Sequence, residues 1–80
     1  MSSYKPLVET LVKNLVEKPD QVRIEDEEDQ GTRTFFIHVD PDDVGKIIGK
    51  NGRVISAVRC VVSAIAGRER ERAYVKIPTE

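Results

Sequence analysis

The stretch Ile47-Ile48-Gly49-Lys50-Asn51-Gly52-Arg53-Val54-Ile55 constrains this chain more than any other. Isoleucines and valines at helical spacing stand on both sides of two glycines three residues apart. A helix cannot run unbroken through Gly49 and Gly52 without cost, and glycine tolerates the positive φ of a tight turn. The segment therefore reads as helix, turn, helix, with Lys50 and Asn51 displayed at the bend. A nucleotide-hydrolysing P-loop is excluded by spacing. Gly45 and Gly49 are one residue too close, and Asn51 stands where a magnesium-binding hydroxyl is required. The G-x-G-x-x-G dinucleotide fingerprint is absent as well.

The elements around the motif follow from periodicity. Tyr4, Leu7, Val8, Leu11, Val12, Leu15 and Val16 recur at three- and four-residue steps and predict a first helix. Ser3 is its expected cap, Pro6 fits the first turn, and Pro19 lies beyond the end. Val22 and Ile24 alternate with polar neighbours, as in a half-buried strand. Asp26 to Gly31 reads as a polar hairpin turn, and its acids as a solvated loop rather than a metal site. Thr32 to Val39 is the strongest strand, with Phe35, Ile37 and Val39 on one face and Phe36 and His38 on the other. Asp40-Pro41-Asp42-Asp43 is a helix start, with cap, proline and acids near the positive end of the dipole. The short helix that follows stops at Gly49. A longer one runs from Gly52 to about Ala66, with Gly67 as its terminator. Ala73, Val75 and Ile77 alternate with Tyr74 and Lys76 in a last strand stopped by Pro78.

With 80 residues, one domain spanning 1–80 is expected. The formal net charge is −1, but it is unevenly spread. Residues 1–45 hold five basic and eleven acidic side chains, a net of −6; residues 46–80 hold eight and three, a net of +5. Screening confines a charge's field to about 8–10 Å, so local charge decides what a site attracts. The basic half begins at the glycine turn, where Lys46, Lys50 and Arg53 cluster. Arg68, Arg70 and Arg72 alternate with Glu69 and Glu71 and read as a solvated edge.

A turn with no side chain in the way, opening on a helix N-terminus beside mobile cations, suits a polyanion backbone. The flanking Ile48, Val54 and Ile55 are apolar, so bases of a short single strand could lie beside a gripped phosphate chain. Alternatively, the turn is a plain helix-turn-helix joint, and Ile55 is core alone.

On these residues the chain resembles the KH family of RNA-binding domains. An apolar pair, G-x-x-G with a basic residue inside, and an isoleucine three residues on form that family's signature, here preceded by Val44 and Gly45. The element order is that of the type II arrangement, and the resemblance covers about Tyr4 to Ile77. It implies an α+β fold, αββααβ, with three helices on one face of a three-stranded mixed sheet. It also implies that Gly49, Lys50, Asn51 and Gly52 clamp about four nucleotides of single-stranded RNA. Ile48, Val54 and Ile55 would form or support the groove floor, Lys46 and Arg53 would reach phosphates, and the third strand would be the other wall, with Tyr74 and Lys76 as base or phosphate contacts. Small bacterial single-KH proteins of this kind act with a larger Jag-like KH partner as RNA chaperones or post-transcriptional regulators linked to cell-envelope and cell-shape control.

The second long helix carries more apolar surface than one sheet requires. Ile55, Val58 and Val62 are its natural core, while Ala57, Val61 and Ala64 fall at the far edge of the wheel. They suggest a dimer with a second copy or a second KH protein, unless the first helix covers them. The competing reading of the whole chain is a protein-interaction module that keeps the fold without touching RNA. Enzymatic chemistry is not expected. His38 is the only histidine and lies mid-strand, Cys60 is the only cysteine, and no metal-ligand spacing exists. No cofactor, metal, small-molecule substrate or membrane is expected, and a lone thiol with no leader or spanning run suggests the cytoplasm.

Overall fold

The computed structural model describes residues 4–78. Its elements are α1 (Lys5–Lys13), β1 (Arg23–Asp29), β2 (Thr32–His38), α2 (Val44–Ile48), α3 (Arg53–Arg68) and β3 (Arg72–Lys76), with short 3-10 turns at Pro19–Gln21, Pro41–Asp43 and Lys50–Gly52. The strand order is β1-β2-β3. β1 and β2 pair antiparallel, with Ile24 opposite Ile37; β2 and β3 pair parallel, with Phe35 opposite Val75. A parallel pair needs a crossover, and α2 and α3 supply it. The αββααβ order and the mixed sheet expected from the sequence are present.

Alternation along β2 sets the core. Arg33, Phe35 and Ile37 are buried while Thr34, Phe36 and His38 are only half-buried. Phe35 and Ile37 pack with Val8 and Val12 of α1, Ile47 of α2, Ile55, Val58, Val62 and Ala66 of α3, and Val75. Tyr4 meets Phe35 edge-on at a centroid distance of 5.5 Å.

Four boundaries differ from the sequence expectation. The first helix ends at Lys13, not Val16: Asn14 turns its side-chain amide back onto the Thr10 carbonyl at 2.8 Å and closes the helix. Leu15 and Val16 pack on the core from the following loop. The residue at the helix start is Tyr4, and the expected cap, Ser3, lies outside the described residues. The acidic run is strand rather than loop. Asp26 to Asp29 pair with Phe35 to Thr32, and only Gln30 and Gly31 form the turn. Both have positive φ, 53° and 81°, the two-residue geometry whose twist matches a hairpin. Finally, α3 runs through Gly67 to Arg68. The left-handed residue is Arg70 (φ 60°), and the amide of Glu71 bonds the Ala66 carbonyl at 2.9 Å, as in a Schellman ending.

Two polar clusters fix the elements. Asp43 is 1% exposed and accepts from the amides of Glu17 and Lys18 at 3.3 and 3.0 Å. It therefore ties the α1–β1 connection to the start of α2, while Asp40 caps that start by accepting from the Asp42 amide at 2.9 Å. Lys18 adds ion pairs to Asp40 and Asp42, which hold its ammonium above the usual lysine range, the Asp42 hydrogen bond most of all.

The second cluster centres on Arg33, 5% exposed on the core face of the sheet. It donates to Asp26 Oδ2 at 2.6 Å and to both carboxylate oxygens of Glu71 at 3.1 and 3.3 Å. Tyr4 donates to Glu71 Oε1 at 2.5 Å, and the guanidinium lies 5.9 Å from the centre of the Tyr4 ring. Hydrogen bonds from Arg33 and then Tyr4 hold the Glu71 carboxyl below its ordinary value of 4.5. Burial, reinforced by Glu71, pushes the Tyr4 phenol from 10.0 up to about 12.

A lowered folded carboxyl value means that the unfolded chain takes up the proton first. Glu71's contribution is whole above the ordinary carboxylate range and is lost as pH falls through and below 4.5. For Tyr4 the sign is opposite: its contribution holds below 10.0 and is lost as pH rises toward about 12. Urea titrations across pH should show Glu71→Gln flattening the acid limb of the stability profile and Tyr4→Phe flattening the alkaline limb. Arg33→Met, which leaves two carboxylates without their cation, should cost about 2 kcal/mol at pH 7, less than fully buried pairs because both acids keep some solvent contact. A loss confined to a few tenths would show that the cluster does not hold the fold.

Candidate nucleic-acid interface

The turn between α2 and α3 is built by glycine chemistry and one valine. Gly49 ends α2 with φ 76° and ψ 172°, a conformation essentially restricted to glycine. A Cβ at this position would lie 2.4 Å from Val54 Cγ2. Val54 therefore forms the shelf on which the turn rests. Asn51 (φ 57°, ψ 26°) and Gly52 (φ 72°, ψ 19°) are both left-handed. The amides of Gly49 and Gly52 bond back to Gly45 and Gly49 at 2.8 and 3.1 Å. Those of Lys50 and Asn51 begin the turn and have no acceptor within it. Lys46, Lys50, Asn51 and Arg53 are exposed, and Ile48 is 37% exposed beside them.

α3 leaves this turn with two different flanks. Gly52, Ser56, Arg59 and Ser63 recur at three- and four-residue steps and share one face. On that side a groove of about 430 Å³ is lined by Arg59, Ser63, Ala73, Tyr74, Val75 and Lys76. Tyr74 is 51% exposed. Tyr74 and Lys76 of the third strand thus line this groove together with Arg59 and Ser63 of α3. On the opposite flank a hollow of about 300 Å³ is lined by Leu11 and Leu15 of the α1 side and by Arg53, Val54, Ala57, Val58 and Val61 of α3. The structure does not bring Arg53 and Val54 into the α3–β3 groove with Tyr74 and Lys76; it places them in the α1–α3 hollow. Ile55 is buried in the core.

Arg59 escaped the sequence reading. Its Nε and Nη2 donate to the Val75 carbonyl at 3.3 and 3.2 Å, which carries the guanidinium across from α3 to the sheet edge. The available signal was its being the single charged residue between Val54 and Ala66. His38 Nε2 lies 3.1 Å from Glu25 Oε1 on the far face of the sheet, away from both hollows. Among the described residues no three His, Cys, Asp or Glu side chains come together to hold a metal ion, and no helix is long and apolar enough to cross a membrane.

A helix–GKNG–helix turn within an αββααβ order fits a KH domain, and sequence comparison shows the family: the KhpA/KhpB KH domain matches residues 5–77. The chain belongs to the KhpA/KhpB KH-domain family. It is 41% identical over 73 residues to the RNA-binding protein KhpA of Oceanobacillus iheyensis, covering 91% of this chain and 97% of that one. Against the RNA-binding protein KhpA of Aquifex aeolicus it is 38% identical over 77 residues, covering 96% and 98%. Against that of Mycobacterium tuberculosis it is 46% identical over 61 residues, covering 76% of each. No solved structure matches the chain significantly. These KhpA relatives are named RNA-binding proteins.

The turn geometry makes a sharp contrast between two glycines of this KH domain. Gly49→Ala should lower stability by about 1–3 kcal/mol, because it combines a glycine-only conformation with a clash against Val54. Gly45→Ala meets nothing within 4 Å and lies inside a helix, so it should be neutral or stabilising by up to about 1 kcal/mol. Parallel thermal melts of the two variants check this; equal losses would mean that the turn is not held against Val54.

Proposed function

We propose that this KH domain binds single-stranded RNA, gripping about four nucleotides by their sugar-phosphate backbone at Gly49-Lys50-Asn51-Gly52. The observation that carries the reading is the turn itself: amides of Lys50 and Asn51 at its head for which no acceptor outside the turn is found among the described residues, no side chain at Gly49 or Gly52, and exposed cations at Lys46, Lys50 and Arg53. The names of the KhpA relatives support it. Ile48 borders the strand's path, Val54 holds the turn from beneath, and Lys46 and Arg53 supply phosphate contacts from the turn's rim. The acidic β1 lies on the opposite edge of the sheet from β3, so repulsion directs the strand toward the α3–β3 groove. A single groove with few phosphate contacts gives modest, salt-dependent affinity.

The test is a titration of the purified chain with a labelled octaribonucleotide. Lys50→Asp with Asn51→Asp should weaken binding about tenfold or more while circular dichroism stays native, and wild-type affinity should fall steadily with added salt. Unchanged binding in the double variant would remove the grip; no binding by the wild type would favour a pure interaction module.

A second observation favours self-association. Ala57 and Ala64 are exposed, Val61 is 45% exposed and Leu7 51%, so an apolar strip runs along α3 and α1 beside the α1–α3 hollow. Small residues allow close helix approach, and a two-fold pair would present two grooves whose modest affinities combine. The occupant proposed is a second copy or the KH domain of a larger Jag-like partner. In that assembly the protein acts as a cytoplasmic RNA chaperone or post-transcriptional regulator connected with cell shape. Light scattering should give twice the chain mass for the wild type and a monomer for Val61→Asp, with native circular dichroism in both. A monomeric wild type would leave only the heteromeric form, which co-purification with the partner tests.

A further inference from the structure

The groove between α3 and β3 holds a hydrogen-bonding arrangement that backbone gripping does not use. β3 is the edge of the sheet, so one side of its backbone has no neighbouring strand among the described residues. Val75 turns its carbonyl to that side, since Arg59 reaches it from α3. The guanidinium has five N–H donors in a planar fork. Two of them, on Nε and Nη2, converge on the Val75 oxygen at 3.3 and 3.2 Å. That bond anchors the plane of the fork and leaves both protons of Nη1 and the second proton of Nη2. Arg59 is exposed, so these remaining donors are open to the groove. No carboxylate among the described residues pairs with it, unlike Arg33 in the core. Tyr74, 51% exposed, and Lys76 line the same groove from the edge strand. Arg59 lies two turns along α3 from Gly52 and on the same face, so a strand gripped at the turn passes over it.

A fork presenting two parallel N–H groups end-on selects for two adjacent acceptors. Cytosine offers them as O2 and N3, guanine as O6 and N7. Adenine sets an amino donor beside each acceptor on those edges, and uracil places N3–H between its carbonyls, so each would meet the fork with a donor facing a donor. Resting on the RNA-binding reading above, we propose that Arg59 reads one base of the bound strand and prefers cytosine or guanine to adenine and uracil. The Val75 carbonyl is the positioning group that holds the fork in register.

The experiment is an anisotropy titration of the full chain with four 5′-labelled uridine octamers carrying A, C, G or U at the fourth position. The wild type should bind the C or G octamer roughly fivefold or more tightly than the A and U octamers. Arg59→Lys keeps the charge and removes the fork; it should bring all four affinities within about twofold of one another while their salt dependence persists. Replacing the preferred base by 3-deazacytidine or 7-deazaguanosine deletes one acceptor of the pair and should cost the wild type the same preference, a result that requires no variant to fold. Four equal wild-type affinities, or a preference that survives in Arg59→Lys or with the deaza base, would overturn the proposal and leave RNA binding standing. Failure of the wild type to bind any octamer would overturn both.

Discussion

One buried guanidinium joins the ends of this fold. Arg33 sits on β2 among Phe35 and Ile37, where an unpaired charge would be strongly disfavoured. Its partners are Asp26 on β1 and Glu71 at the exit of α3, and Glu71 in turn holds the hydroxyl of Tyr4 at the start of α1. Four elements therefore meet at one set of charge-assisted hydrogen bonds. The geometry is unforgiving, because each carboxylate is needed to offset desolvation of the cation. Glu71 immediately precedes β3, so the same bonds set where β3 begins and keep it in parallel register beside β2.

That placement gives α3 two different flanks. The helix packs on the sheet through Ile55, Val58, Val62 and Ala66, which leaves Arg59 and Ser63 toward β3 and Ala57 and Val61 toward α1. The glycine turn at its head is coupled to the same packing through Val54, which touches the space above Gly49. The α3–β3 groove and the exposed Ala57 and Val61 thereby fall on opposite sides of one helix, with Arg53 at the head of the α1–α3 side.

Element types and order were legible because each rests on local chemistry: three-and-four spacing in α1 and α3, alternation in β2 and β3, glycines at the bend, and Asp40-Pro41 at a helix start. The turn residues Gly49 to Gly52 were legible for the same reason, since positive φ is a demand that glycine answers locally. The errors fell where a distant partner outweighed local preference. Asp26 to Asp29 look like a loop until β2 lies alongside to pair their backbones, and Gly67 looks like a helix end until Glu71 is drawn to Arg33. Asp43 looked like a dipole-facing acid, yet it is buried under the amides of residues 17 and 18.

Sequence alone, then, determined the αββααβ order, the split of charge between the halves and the bend that exposes Lys50 and Asn51, because periodicity, charge and glycine freedom act over a few residues. Tertiary structure alone decided which side of α3 each residue occupies in the assembled fold. It put Arg53 and Val54 with Leu11 and Leu15, and Arg59 against the Val75 carbonyl. Those neighbours are 16 or more positions apart in the chain, and only packing of the helices on the sheet brings them within reach.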